Sequence, residues 1–272
     1  MNILLWPKIG EDLTRYPIIH NHLIQFKERL ESRSDKGNSW YEFRTCSYYQ
    51  YFEEPKIIYP DIALESRFSI DYNGRIPNAT LFIIPTEDNF LLAVLNSKIG
   101  WFYFKNHCPV IGDKSKRGRL RLKTVYVKNL PVPNVLSSQK SKIEALVQII
   151  ISLKSEFNHL THSFQKFLSG EYLLEKLSTK LQKWHELDFN HFIREINKAI
   201  KTTNKTRDKE DLPSIPQLNK KDEFEWMELF QDKKKKAQRL KQQIDKTDSE
   251  IDQMVYELYG LKEEEIQIVE NS

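Results

Sequence analysis

Between Lys105 and Lys128 the chain carries eight basic residues and one acid, Asp113. Such a concentration is the electrostatic footprint of a polyanion partner, against the plainer reading of a solvated loop. The run Arg119-Leu120-Arg121-Leu122-Lys123 favours a surface. Successive side chains on a strand point to opposite faces. If this run is a strand, Arg119, Arg121 and Lys123 share one face while Leu120 and Leu122 pack inward.

Other residues of suitable type make weaker sites. Pro60-Asp61 followed by Glu65-Ser66-Arg67 resembles a PD…ExK nuclease centre, where carboxylates hold Mg²⁺ and a lysine lies near the attacking water. Here an arginine replaces the lysine and cannot deprotonate, and the gap from Asp61 to Glu65 is tight for two strands of a hairpin. A strand end and turn is the plainer reading. His159 and His162 could share a helix face, but they lack a third ligand, so no metal is expected. Lys233 to Lys236 could grip phosphates; on a long charged helix it reads first as a solvated face. The eight glycines never fall two apart, so the Gly-x-Gly of a Rossmann-type or S-adenosylmethionine loop is missing. Gly112 and Gly118 are one residue too far apart for a P-loop. No Pro-Pro dipeptide occurs, which excludes the [DNS]-P-P-[YF] motif of amino-methyltransferases. No catalytic residue, cofactor or metal is expected.

The elements that must position the basic run read as strands cut by turns. Trp40–Arg44, Lys56–Tyr59, Arg67–Asp71 and the apolar run Ala79–Ile84 are candidate strands, with Tyr72-Asn73-Gly74-Arg75 as a turn. A helix is predicted from Pro17, with Ile18, Ile19, His22, Leu23, Phe26 and Leu30 at helical spacing. Another is predicted over Phe90–Phe104, in which Gly100 costs roughly 1 kcal/mol against alanine. Pro131 and Pro133 mark a boundary. Beyond it, Ile143 to Phe167 steps by threes and fours as a long amphipathic helix ending near Gly170, and Tyr172–Ile200 is a second helical region. Residues 201–222 read as a polar loop. A last helix over about Glu223–Tyr259 carries a heptad-like stripe from Ala237 to Leu258, a seam whose expected partner is the Ile143–Phe167 helix, packed antiparallel. Leu261–Ile266 is a short acidic coda. The fold class is thus α+β: a small mixed α/β domain over 1–135, then a long helical, antiparallel coiled-coil-like arm over 136–272.

Charge follows the same division. The chain of 272 residues has a formal net charge of +4. Residues 1–135 hold 19 Lys and Arg against 14 Asp and Glu, and residues 136–272 hold 23 against 24, so the positive field belongs to the first part. Two cysteines, Cys46 and Cys108, make no disulfide framework and read as reduced thiols in a cytoplasmic protein. The apolar run from Met1 to Trp6 is far too short for a signal core or a membrane span, and no membrane association is expected.

The segments Trp40-Tyr41-Glu42-Phe43-Arg44, Pro55-Lys56-Ile57-Ile58-Tyr59-Pro60-Asp61, Leu95-Asn96-Ser97-Lys98 with Tyr103, Arg121-Leu122-Lys123 and Leu130-Pro131-Val132-Pro133 together resemble the TaqI-like C-terminal specificity domain. That domain is the target-recognition part of N6-adenine DNA methyltransferases and of fused type IIG restriction–modification enzymes. Trp184-His185-Glu186-Leu187-Asp188-Phe189 and the closing run Ile251 to Leu261 with Glu264-Glu265-Ile266 are similar to the same enzymes, so the resemblance runs from about Tyr16 to Glu270. The methyltransferase domain that would precede this segment in the family, and any fused nuclease, has no counterpart in these residues. The expectation is a reader without its catalytic part: a split subunit, a truncated gene product or an excised segment.

The resemblance implies sequence-specific binding of double-stranded DNA, with a methyltransferase or methyltransferase–nuclease domain as catalytic partner. Lys114, Lys116, Arg117, Arg119, Arg121 and Lys123 are the leading candidates for contact, some holding phosphates and one or two arginines reading guanine. Lys98, Arg44, Tyr48 and Tyr49 are secondary candidates. The aromatic run Tyr48, Tyr49, Tyr51 and Phe52 could touch bases or form core. The arm would set spacing, dock the catalytic partner or a second copy, or only stabilise the reader. Three alternatives stand beside this reading. One is a coiled-coil assembly subunit with an incidental basic loop. Another is a metal-dependent nuclease using Asp61 and Glu65. The third is a type I-like specificity subunit, disfavoured because no second recognition segment or internal repeat is found.

Overall fold

The structure is a computed structural model that describes Leu5, residues 7–113 and residues 118–272. Helices α1 (Pro17–Ile24) and α2 (Lys27–Glu31) open the chain. The single helix expected here breaks at Phe26, which takes φ −111 and ψ 11. None of the residues of these two helices is fully buried, and Ile18 stands 86% exposed. Trp40–Arg44 is also not a strand: only an isolated bridge joins Lys36 to Phe43. A buried carboxylate shapes this stretch instead. Glu42 accepts the Gly10 and Ser39 N–H groups, each at 2.8 Å. The Ser39 bond leads in holding its pKa below the usual range, against the upward push of burial.

Two small antiparallel sheets follow. In the first, β1 (Lys56–Pro60) lies between β3 (Ser69–Asp71) and β4 (Leu81–Ile84). Pro60 pairs only with β4, at the strand end, where its missing N–H removes no central bond. The run to Ile84 was expected to be a buried strand; as the sheet edge it is half-buried throughout. Lys56 and Asp71, both fully buried, meet at 2.8 Å across β1 and β3. Burial pushes the Asp71 carboxyl up, but hydrogen bonds from Lys56 and from the Asn73 and Arg75 N–H groups outweigh it and hold the pKa low. The same carboxylate therefore ties the sheet to the 72–75 turn, where Gly74 takes φ +62. In the second sheet, β6 (Arg119–Arg121) lies between β2 (Ile62–Ala63) and β5 (Val110–Ile111).

The single helix expected over Phe90–Phe104 is two: α3 (Asn89–Asn96) and α4 (Lys98–His107). Ser97 separates them. It is extended at ψ 158, and its hydroxyl accepts the Gly100 N–H to cap α4. α3 is buried on most sides because it lies inside the core, between sheet and arm. After the four-residue α5 (Thr124–Val127) and the proline boundary, α6 runs Ser137–Glu171.

The region expected to be helical over Tyr172–Ile200 is interrupted. A short α7 (Thr179–Gln182) and a 3-10 turn at Trp184–Glu186 precede α8 (Phe189–Lys209), which extends well into the expected loop. Asp188 caps α8 through the His191 N–H. α9 spans Lys220–Tyr259, opened by an Asn219–Asp222 capping box and closed by Gly260 at φ +66. The acidic coda is a helix, α10 (Glu263–Glu270), seated by buried Val269.

α6 and α9 pack antiparallel. Glu156 pairs with Lys236 and Lys154 with Asp248, while Phe164 and Phe167 near the end of α6 meet Trp226 near the start of α9. Ala237, Leu240, Ile244, Thr247 and Ile251 are buried and Met254 and Leu258 half-buried, as the heptad stripe requires. The hairpin joins two cores. One holds Tyr59, Phe68, Val94, Phe104 and Leu122 with Ile143, Val147, Ile150, Ile244, Ile251 and Val255. The other, farther along, gathers Phe164, Trp184, Phe192, Trp226 and Phe230 under α7 and α8. The first core thus draws residues from both sides of the expected division at 135.

Candidate nucleic-acid interface

β6 alternates as its residue types demand. Leu120 and Leu122 are buried, Arg119, Arg121 and Lys123 exposed. Burying each leucine stabilises the strand by roughly 1.5–3 kcal/mol, which fixes the faces: a one-residue slip would expose both leucines and bury the cations. Arg121 lies opposite Ile62 and Arg119 opposite Ile111. Directly opposed residues project to one side of a sheet. The outer face is therefore two arginines flanked by two isoleucines, with Ile62 39% exposed. Lys123, also exposed, follows past a tight turn in which its N–H bonds the Arg121 carbonyl at 3.0 Å, at the N-terminal boundary of α5.

Arg119 and Lys123 form no ion pair among the described residues. Arg121 pairs with Asp61, its Nε 3.4 Å from the carboxylate. At that distance on a part-exposed surface the pair is worth under about 1 kcal/mol, so it orients the guanidinium without spending it. Asp61 sits where the two sheets join. Its N–H bonds Thr80 O at 2.9 Å and its carbonyl accepts Leu122 N–H at 2.7 Å. Glu65 is engaged separately, by Arg67 at 2.8 Å. The two carboxylates of the nuclease-like run therefore hold different arginines. Among the described residues no group of His, Cys, Asp and Glu is arranged to hold a metal.

The β5–β6 connection passes Gly112, at φ +92, and Gly118, where a Cβ would stand 2.3 Å from Val110 Cγ1. Lys114, Lys116 and Arg117 belong to this connection and lie outside the described residues. The secondary candidates are not gathered with β6. Lys98 opens α4 and reaches α10, its Nζ 2.8 Å from Glu270. Arg44 is exposed, its carbonyl accepting the Tyr49 hydroxyl at 2.6 Å. The aromatic run divides: Phe52 is buried, Tyr49 half-buried and stacked edge-on against it, and Tyr48 and Tyr51 are exposed. Sequence reasoning missed Ile62 and Ile111 on the outer face and the role of Asp61 as partner of Arg121. The apolar alternation Ile62-Ala63 was too short to signal a strand. Cys108 is buried and its thiol pushed up to about 11 by that burial, so it is inert, and both cysteines are free.

The class of the first part follows from family comparison. Residues 9–132, the α/β part, match the TaqI-like C-terminal specificity domain. Residues 136–255 match a separate family, a domain of unknown function (DUF8810). The resemblance expected to run on to about Glu270 is thus divided between two families near the proline boundary. Particular relatives agree with the first assignment. A type II methyltransferase of Methanocaldococcus jannaschii, M.MjaIV, is 29% identical over 154 residues, 52% of this chain and 50% of the relative. A type II methyltransferase of Aneurinibacillus aneurinilyticus, M.BanIII, is 30% identical over 141 residues, 48% of this chain and 24% of the relative. The chain therefore spans about half the length of one curated relative and about a quarter of the other. No helix among the described residues is long and apolar enough to cross a membrane.

Proposed function

We propose that this chain is the sequence-reading module of a DNA methyltransferase or restriction–modification system, binding double-stranded DNA without itself catalysing its modification. One observation carries the reading: within the segment matching the TaqI-like specificity domain, β6 presents Arg119 and Arg121 on one exposed face while Leu120 anchors it, with buried Leu122 and exposed Lys123 following directly. Cations side by side can hold phosphates, and an arginine on a sheet face can bond a guanine in the major groove, worth about 1–3 kcal/mol of discrimination. Ile62 and Ile111 beside them supply apolar surface of the kind that contacts a thymine methyl. The catalytic partner in this reading is a methyltransferase or methyltransferase–nuclease domain, and the setting is the cytoplasm. Self-association through the arm would need surfaces other than the α9 seam, which α6 fills within the chain.

Selection from a randomised duplex library at two salt concentrations tests this. The expected result is an enriched motif that disappears in Arg119→Ala/Arg121→Ala, whose side chains point outward and whose loss leaves the core intact. Salt-sensitive binding without any motif would mean that the catalytic domain completes recognition. No binding at low salt would refute the DNA reading.

A further inference from the structure

The charge balance of the second part conceals a local excess. α8 carries six basic residues and two acids along 21 positions. Five of the six, Arg194, Lys198, Lys201, Lys205 and Lys209, recur at spacings of four, three, four and four, and all five are exposed. At 3.6 residues per turn they fall within an arc of about 80°, and at 1.5 Å per residue they extend over about 22 Å.

Among the described residues no ion pair neutralises this row, whereas lysines on neighbouring long helices do form them: Lys154 with Asp248, Lys236 with Glu156, Lys241 with Asp245. The two acids of α8 are engaged elsewhere. Glu195 is buried and pairs with Lys180, also accepting from Ser178, and Asp208 on the flank of the row accepts from Ser214. Folding does not explain the arrangement. Like charges at i,i+3 and i,i+4 destabilise a helix. The helix dipole favours cations only in the last turn, which accounts for Lys209 and leaves Arg194, Lys198 and Lys201 without benefit. The helix is held instead by its opposite face, where Phe192, Ile193, Ile196 and Ile200 are buried.

We propose that the outer face of α8 is a second DNA-contact surface, one that grips the phosphate backbone without reading sequence. Duplex DNA carries one negative charge per about 3.4 Å of axis on each strand, so a straight row of cations over about 22 Å can lie along several consecutive phosphates. This inference rests on the DNA-recognition reading of β6 and assigns the helical part a share of affinity, leaving specificity with the head.

The test compares three full-length proteins on a library-selected duplex and on a random duplex over a range of salt: the wild type, Arg119→Ala/Arg121→Ala, and Lys198→Ala/Lys201→Ala/Lys205→Ala. Alanine is the better helix former and removes the repulsion, so the helix persists, checked by circular dichroism. The triple variant is expected to weaken binding to both duplexes equally, by roughly fivefold per lost contact at about 0.15 M salt, and to lower the salt slope by about 2–3, at 0.9 per phosphate. Its preference for the selected duplex should be unchanged. A triple variant that binds both duplexes with wild-type affinity and slope, while the β6 variant is impaired, would overturn the inference and leave the reading of β6 standing; the row would then face an acidic protein surface. A wild type that binds neither duplex at low salt would refute both.

Discussion

Replacing Asp252 by asparagine should make this protein more stable at neutral pH. Asp252 is a buried carboxylate on α9, and its Oδ1 accepts the Lys98 N–H at 2.9 Å, at the joint where α4 meets the arm. Burial is the main cause that raises its pKa to about 6 from 3.8; Asp248 and Glu270 add to the rise, while Lys98 opposes it. A carboxyl whose pKa is higher folded than unfolded binds more protons in the folded state between the two values. Stability then falls as pH rises through that window. The penalty is absent below about pH 4 and complete above about pH 6; two units at about 1.4 kcal/mol each give roughly 3 kcal/mol. Asparagine keeps the acceptor and removes the charge. Its cost is the lost attraction of a carboxylate for the α4 N-terminus, about 0.3–1 kcal/mol. Asp252→Asn should therefore gain roughly 2 kcal/mol at pH 7 and nothing, or a slight loss, at pH 4. Urea unfolding of both proteins at half-unit steps from pH 4 to 8 measures this. Other carboxylates, including Asp71 and Glu270, have lowered pKa values and titrate in both proteins with the opposite sign, so the difference between the two curves is the quantity to follow. A difference flat across this range, or a variant less stable at pH 7, would show that Asp252 is not held at a desolvation cost.

Asp71→Ala leaves the Lys56 ammonium buried without its counter-ion and frees the 72–75 turn; a loss of about 3–5 kcal/mol is expected by denaturant unfolding. Gly100→Ala, which helix propensity alone would favour, places a Cβ 2.3 Å from the Val94 carbonyl; it should destabilise by about 1–3 kcal/mol as overpacking does, visible as a lowered Tm. A fragment ending at residue 135, close to the family boundary, should lack cooperative unfolding and bind a hydrophobic dye.

The parts legible in the sequence are those where one face is buried and the period is long. The Ala237–Leu258 stripe, the Ile143–Phe167 helix and their antiparallel pairing follow from apolar residues at threes and fours, because such a stripe has no other stable burial. The β6 alternation was legible for the same reason at period two. Breaks set by one side chain were less so. Ser97 stops α3 by hydroxyl capping, yet Phe90–Phe104 has the hydrophobicity of one helix. Trp40–Arg44 has the composition of a strand, but Glu42 is drawn inward to bind two backbone N–H groups, and strand pairing gives way. The polar composition of residues 201–209 suggested a loop because α8 keeps its apolar contacts on the earlier turns and exposes lysines in the later ones. The placement of Lys98 was hidden because its partner, Glu270, is 172 residues away.

The family boundary near residue 132 and the physical boundary of the first part are different things. α3 lies across the head, and its buried residues Leu92, Val94 and Leu95 share a core with Ile143, Val147 and Ile150 of α6 and Ile244, Ile251 and Val255 of α9. At roughly 1.5–3 kcal/mol for each fully buried aliphatic side chain, these six residues of the arm represent about 9–18 kcal/mol of burial, as large as the whole stability of an ordinary domain. Lys140 adds a polar tie, its Nζ 3.1 Å from the Asp88 carboxylate that caps α3. The arm therefore does more than follow the first part along the chain. It supplies one wall of the core against which the strands that present Arg119 and Arg121 are registered, and through α9 it joins that wall to the base of α8. The Arg119/Arg121 face and the α8 row are thereby both tied to one α6–α9 hairpin, so under the DNA-binding reading proposed above a duplex engaging both must match a spacing that the protein sets.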